Sequence, residues 1–386
     1  MRRLRSEHNL LIARRPAVQR RGRRSGVSLI EVLFSLGIVT VGLLGVMIIV
    51  PLAGLRTAQG TIADGADRMG RNAIRAFDVY QMRRPDSWAQ LDVSTTPVSY
   101  MPFAGGEAFC IDPLYMAANG NASQFDPGIL RFPYLGSPPT TGVPYMKRVS
   151  LRAYPGASLS PPSSTILPGS PGSPVMWLEQ AGQIFLGDDD LTFNLPKDRT
   201  IPPQQKYNFG GTSGVEGLKR QWEGRFSWLA TVVPKPGASS DTYMLSIVVF
   251  HRRELLVDAE RVVDVTAFNS NGYNGGDVVL HVDGLDREDD LKMKEGEWLM
   301  LAGIDTNVSP WRYYFQWYRI QTADAGPTPA GGGGYDRDLT LFGADWPGQD
   351  LVPPLIDVRK AVWIPGIVAV YEKTIRLETS SLWTDR

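Results

Sequence analysis

Glu31 is the only charged residue between positions 27 and 50, in a stretch otherwise built from apolar residues, glycines and a few hydroxyls. A lone carboxylate at such a place costs about 2.5–3.5 kcal/mol to insert into a bilayer, so it calls for a cationic partner. The chemistry open to Glu31 is ion pairing where water is scarce. Two other acidic groups offer hard oxygen donors: Asp188, Asp189 and Asp190, and the run of Asp283, Asp286, Glu288, Asp289 and Asp290. Ca2+ takes oxygens of this kind, yet neither run has the alternating ligands and sixth-position Gly of an EF-hand loop. Both read as solvated acidic loops, with calcium at 283–290 the competing reading. No other cofactor is expected.

Catalytic signals are sparse. The histidines are His8, His251 and His281, and no HExxH or CxxC spacing occurs. Gly211-Thr212-Ser213-Gly214-Val215 departs from the GxSxG elbow at its last position. Carboxylate pairs for glycoside hydrolysis leave no mark in local spacing. Tryptophans are frequent in strand-like segments and read as core rather than as a sugar platform. Cys110, the sole cysteine, stands between Phe109 and Ile111 and reads as a small buried apolar residue that forms no intrachain disulfide. No enzyme is expected.

The element that must position Glu31 is a helix. Residues 27–50 would span ~36 Å, enough to cross a hydrocarbon core of ~30 Å with some tilt. Upstream stand Arg2, Arg3, Arg5, Arg14, Arg15, Arg20, Arg21, Arg23 and Arg24 against one acid, Glu7. The positive-inside rule keeps this leader cytoplasmic and exports the chain beyond residue 50. The apolar run is too long for a cleavable secretory signal.

Gly26 immediately before the run, Val27 after it and Glu31 at the fifth place resemble the class III signal of type IV prepilins and type II secretion pseudopilins. The resemblance implies that a prepilin peptidase cuts between Gly26 and Val27 and methylates the new amine of Val27. It also implies that Glu31 meets the N-terminal amine of a neighbouring subunit as subunits stack, with other pilin or pseudopilin subunits and an inner-membrane assembly platform as partners. The family often begins with Phe where this chain has Val27, and the leader of 26 residues is long; both features suit a minor, low-abundance subunit. The competing reading is a single-pass exported binding domain or hydrolase with an uncleaved signal anchor, its Glu31 reaching toward the cytoplasmic interface.

Beyond the apolar run the helical spacing continues. Leu55, Ala58, Ile62, Ala66, Met69, Ala73, Phe77 and Tyr80 recur at three- and four-residue steps, with charges on other faces, which predicts one helix over 27–83. Pro51 removes a backbone donor and predicts a kink. Arg84-Pro85 is the stop.

The rest is rich in Pro, Gly and short apolar stretches. Strands are expected at 226–233, 243–250, 261–268, 278–282, 298–302, 313–321 and 367–378, with a hairpin turn at 234–241. A hairpin of 278–282 with 298–302 is also considered. The fold class is therefore α+β: a long N-terminal transmembrane and amphipathic helix packed on an antiparallel β-sheet domain with large loops, a pilin-like arrangement. The organisation is a removed leader 1–26, a helix 27–84 with 27–50 in the membrane, a loop-rich insertion or subdomain 85–219, and a β-rich exported domain 220–386. The Pro/Ser/Gly tract at 158–174 marks a boundary or surface insertion.

Removing the leader takes away nine arginines and one glutamate, so 40 basic and 40 acidic residues become 31 and 39, a net charge of −8. An acidic exported domain does not indicate nucleic acid as a partner. The expected location is the bacterial inner membrane, N-terminus cytoplasmic, and then a filament in the periplasm or at the cell surface.

Overall fold

The computed structural model describes residues 26–92, 99–100, 105–120, 126–136, 142–152, 175–187, 191–194, 219–222, 225–236, 241–270, 275–284, 286–305, 311–347 and 356–378. The chain divides into two compact units, Met1–Gln59 and Gly60–Arg386.

Helix α1 runs Leu29–Val79, through Pro51, a little shorter than the 27–83 expected. It ends in a Schellman arrangement. Met82 N–H donates to Phe77 O at 2.9 Å, Gln81 N–H donates to Asp78 O at 3.2 Å, and Gln81 takes the left-handed φ of 54° that this cap requires. Within the second unit α1 buries Ala66, Met69, Gly70, Ala73 and Phe77, one face of the helix. The expected stripe is longer than the one observed: Leu55 and Tyr80 are exposed.

The short elements after α1 are β1 (Trp88–Ala89), β2 (Leu91–Asp92), β3 (Ser99–Tyr100) and β4 (Phe109–Ile111). Helix α2 (Pro113–Asn119), β5 (Arg131–Phe132), β6 (Met146–Leu151), α3 (Leu178–Phe185), β7 (Leu191–Asn194) and β8 (Lys219–Trp222) come next. The longer strands are β9 (Phe226–Pro234), β10 (Thr242–His251), β11 (Arg261–Ser270), β12 (Gly275–Val282) and β13 (Trp298–Asp305). The last are β14 (Arg312–Ala323), β15 (Thr328–Pro329), β16 (Tyr335–Phe342), β17 (Asp357–Trp363) and β18 (Ile367–Arg376).

One sheet has the order β1-β6-β4-β9-β10-β18, with β5 also on β6. Strands from before and after residue 219 thus share it. β4 and β6 run parallel; every other pairing among the described strands is antiparallel. The second sheet is β12-β11-β17-β13-β14-β16-β15, and β16 pairs again with β12, closing six strands into a barrel. The α+β class holds, but the expected single sheet is corrected to a sheet plus a barrel. Strands 275–282 and 298–305 do not form a hairpin: β12 lies between β11 and β16, and β13 between β17 and β14.

The barrel is an insertion. All its strands fall between β10 and β18 in sequence, yet β10 and β18 are paired from Thr242↔Arg376 to Phe250↔Ile367. At the base of the insertion His251 N–H donates to Gly366 O at 2.8 Å.

Period-two alternation sorts the side chains into layers. One sheet face carries Ile111, Val149, Trp228, Ala230, Val232, Leu245 and Ile247 against Met69, Ala73 and Phe77 of α1. The opposite face carries Cys110, Leu229, Val248 and Phe250 against the barrel's Met300, Ala302, Trp317 and Val362. The barrel's interior is filled by its own residues, among them Leu280, Leu299, Leu301, Tyr318, Leu339 and Trp363. Fully burying one such side chain contributes about 1.5–3 kcal/mol, so each layer has a substantial core.

Candidate functional site

Gly26, Val27 and Ser28 precede the first turn of α1. Ser28 O accepts from Glu31 N at 3.0 Å and from Val32 N at 3.2 Å, so helical hydrogen bonding begins there. This puts Glu31 in the first turn, near the end of the helix where the macrodipole is positive and a carboxylate is favoured by about 0.3–1 kcal/mol. Glu31 and all residues from Gly26 to Val50 are exposed.

The 18-residue window of α1 that is apolar enough to cross a membrane has none of its residues buried. Its hydroxyls find partners within the helix: Ser35 Oγ donates to Glu31 O at 2.8 Å and Thr40 Oγ1 to Leu36 O at 2.6 Å. Pro51 has no N–H, leaving the Met47 carbonyl without its usual helical donor. By length and composition α1 is therefore a helix suited to a membrane, with one carboxylate at its N-terminal end.

The acidic run at 283–290 is engaged with cations. Lys292 Nζ lies 2.7 Å from Asp289 Oδ1 and 3.3 Å from Glu288 Oε1. Asp290 meets Arg287 Nε at 2.9 Å and Arg261 Nε at 3.7 Å. Asp283 approaches His281 Nε2 at 3.2 Å, while Asp286 is exposed. Among the described residues no three His, Cys, Asp or Glu converge on a point that would hold a metal. Asp188, Asp189 and Asp190, residues 211–215, the tract 158–174 and leader residues 1–25 lie outside the described residues.

Two arrangements had no signal in local sequence. His281 on β12 is held by Asp336 on β16, Nδ1 to Oδ1 at 2.6 Å, across the strand pair that closes the barrel. Hydrogen bonds to Asp336 and then Asp283 raise its pKa.

The other is a buried group of four charges. Arg253 donates twice to Asp112, Nη1 to Oδ1 at 2.9 Å and Nη2 to Oδ2 at 2.6 Å. Arg148 Nη2 reaches both oxygens of Glu260, at 2.5 and 2.7 Å. Tyr134 N–H also donates to Glu260, at 2.8 Å, and the Arg148 guanidinium lies 3.7 Å over the Tyr115 ring. Burial alone would raise the Asp112 carboxyl, but Arg253 and then Arg148 outweigh it and hold the pKa below its ordinary value. Burial, followed by the Asp112 charge, pushes the nearby Cys110 thiol well up, so it is an unreactive thiol while covered.

Comparison of the chain with known protein families, with curated proteins and with solved structures finds no match.

Proposed function

We propose that this chain is a minor pilin or pseudopilin-like subunit, processed by a prepilin peptidase and assembled through α1 into a type IV pilus or type II secretion-like filament. One observation carries it: Gly26, Val27 and Glu31 stand at the start of a helix whose apolar length is wholly exposed and whose residues 66–77 pack on a sheet. An exposed apolar helix of this kind needs lipid or other helices around it. Glu31 needs a cation once that environment excludes water. The amine freed by cutting before Val27, on an adjacent subunit, meets both needs. The leader stays cytoplasmic, and the sheet and barrel are exported.

The test is the N-terminus of the protein purified from its membrane, read by Edman sequencing and mass spectrometry. A methylated Val27 is the expected result. An intact leader, or a first residue other than Val27, overturns the proposal and leaves the uncleaved signal anchor.

A further inference from the structure

We infer that the barrel is a separable body latched onto the sheet by the buried pair Arg148–Glu260, and that it parts from the sheet at this seam without unfolding of either layer.

The ladders make this separation inexpensive. The barrel's strands close on one another and, among the described residues, none pairs with the sheet, so parting breaks no β-ladder hydrogen bond between them. Each body retains a core of its own, the barrel in its interior and the sheet on the face braced by α1. What holds the seam among the described residues is an apolar contact, hydrogen bonds that include Trp317 Nε1 to Thr231 Oγ1 at 3.1 Å and Tyr134 N–H to Glu260 at 2.8 Å, and the charges.

The chain crosses the seam twice. It leaves β10 after His251, which donates its N–H to Gly366 O. Leu255 and Val257 still pack beside Tyr115 and Met116 on the sheet side, and Asn119 Nδ2 donates to Leu255 O at 2.9 Å. The outgoing crossing is therefore at Glu260, and the return is just before β18. Arg252 has φ 55° and Gly366 φ 88°, so the chain turns through the left-handed region where it leaves β10 and again just before β18.

The four charges divide across that seam. Arg253 precedes the crossing and is bidentate to Asp112, so this pair stays with the sheet, with Arg253 Nη2 also 3.8 Å from Glu260 Oε1. Glu260 directly precedes β11 and moves with the barrel, whereas Arg148 sits in β6. Opening therefore separates Arg148 from Glu260 and leaves Arg253–Asp112 intact. Both side chains of the separating pair are almost fully buried, at 0% and 2% exposure. A buried pair holds while matched, and removing one charge strands the other away from water.

Cys110 reports on the seam directly. It is the only thiol in the chain, is fully buried, and belongs to the sheet face that the barrel covers. The experiment is the rate of Cys110 labelling by a soluble maleimide on the full chain in detergent, across a urea series, beside circular dichroism of the same samples. At low urea the expected labelling free energy depends on urea with a slope well below that of global unfolding, because opening exposes only the seam. Glu260→Gln is expected to raise the low-urea rate by about ten-fold or more. Glu260→Asp, a milder change that keeps the charge but draws it back from Arg148 by one methylene, is expected to raise it a few-fold and serves if Glu260→Gln does not fold. A labelling slope equal to that of global unfolding overturns separability. A low-urea rate unmoved by the substitution that folds overturns the latch.

Discussion

Gly70 of α1 lies directly under the ring of Tyr371 on β18, so close that a Cβ at position 70 would overlap Cδ2, Cε2 and Cζ of that ring. One and a half turns earlier Gly65 stands in the same relation to Phe226 of β9, whose Cζ would be 2.5 Å from a Cβ. The two glycines are notches. They let aromatic rings on the sheet reach the helix backbone, which fixes where α1 lies along the sheet as well as which face it buries.

Gly70→Ala should therefore destabilise the domain despite better helix propensity. Replacing Gly gains about 1 kcal/mol in a helix, whereas overpacking costs about 1–3 kcal/mol; a Cβ this close to the ring takes the upper part of that range, so a net loss approaching about 2 kcal/mol is expected. Gly60→Ala, where nothing lies within 4 Å, should be neutral or stabilising. Urea denaturation of both variants checks the contrast, and adding Tyr371→Ala to Gly70→Ala should recover part of the loss.

Breaking the buried charge group one member at a time should cost far more than removing a matched pair. Arg148→Met leaves Glu260 with only the Tyr134 N–H and a distant Arg253, 3.8 Å away, and should cost about 3–5 kcal/mol. Arg148→Met combined with Glu260→Met should be closer to wild type than either single variant. A double-mutant cycle in urea measures the coupling.

The Asp112 carboxyl gives the domain an acid limit. Its folded pKa is depressed, so its contribution is complete above its ordinary value of 3.8 and is lost as pH falls through the lower folded value. Stability should drop below about pH 4 more steeply in the wild type than in Asp112→Asn, which lacks that titration. Urea midpoints between pH 2 and 6 test this.

His281 acts in the opposite direction. Its folded pKa is raised, so the stabilisation from Asp336 and Asp283 is complete below its ordinary value of 6.5 and is lost as pH rises through the folded value. An NMR titration of the His281 ring should give a pKa that falls in Asp336→Asn, and the β12–β16 amides should exchange faster above that pKa than below it.

If the proposed assembly holds, Glu31→Ala should still be cut after Gly26 yet enter filaments at about one-tenth of the wild-type level or less, because its neighbour's amine is left unpaired. Immunoblots of sheared filaments and of membranes separate the two steps. Normal incorporation of Glu31→Ala would remove the pairing role from the proposal.

How much of this could be read from the chain differs by element. The long helix was legible because its evidence is local: an unbroken apolar run, then residues such as Ala66, Met69, Ala73 and Phe77 at helical spacing. Most long strands were legible for the same reason, and α1 ended within four residues of its expected stop. β16 and β17 were not anticipated, and β12 was considered as a partner of β13. Alternation tells a strand which residues face inward, but gives nothing about which strand lies beside it.

By itself the sequence determined the helix-plus-strand class and the isolation of Glu31 in an apolar run, since both arise from the hydropathy of neighbouring residues. Only the tertiary structure decided that the strands after His251 close into a barrel and return at Gly366 to complete the sheet. It alone brought Arg148 to Glu260, 112 positions away, and Arg253 to Asp112, 141 positions away. Pairings at that separation are selected by what the whole fold can bury together, and a buried charge carries no mark in its own segment of the partner that makes it tolerable.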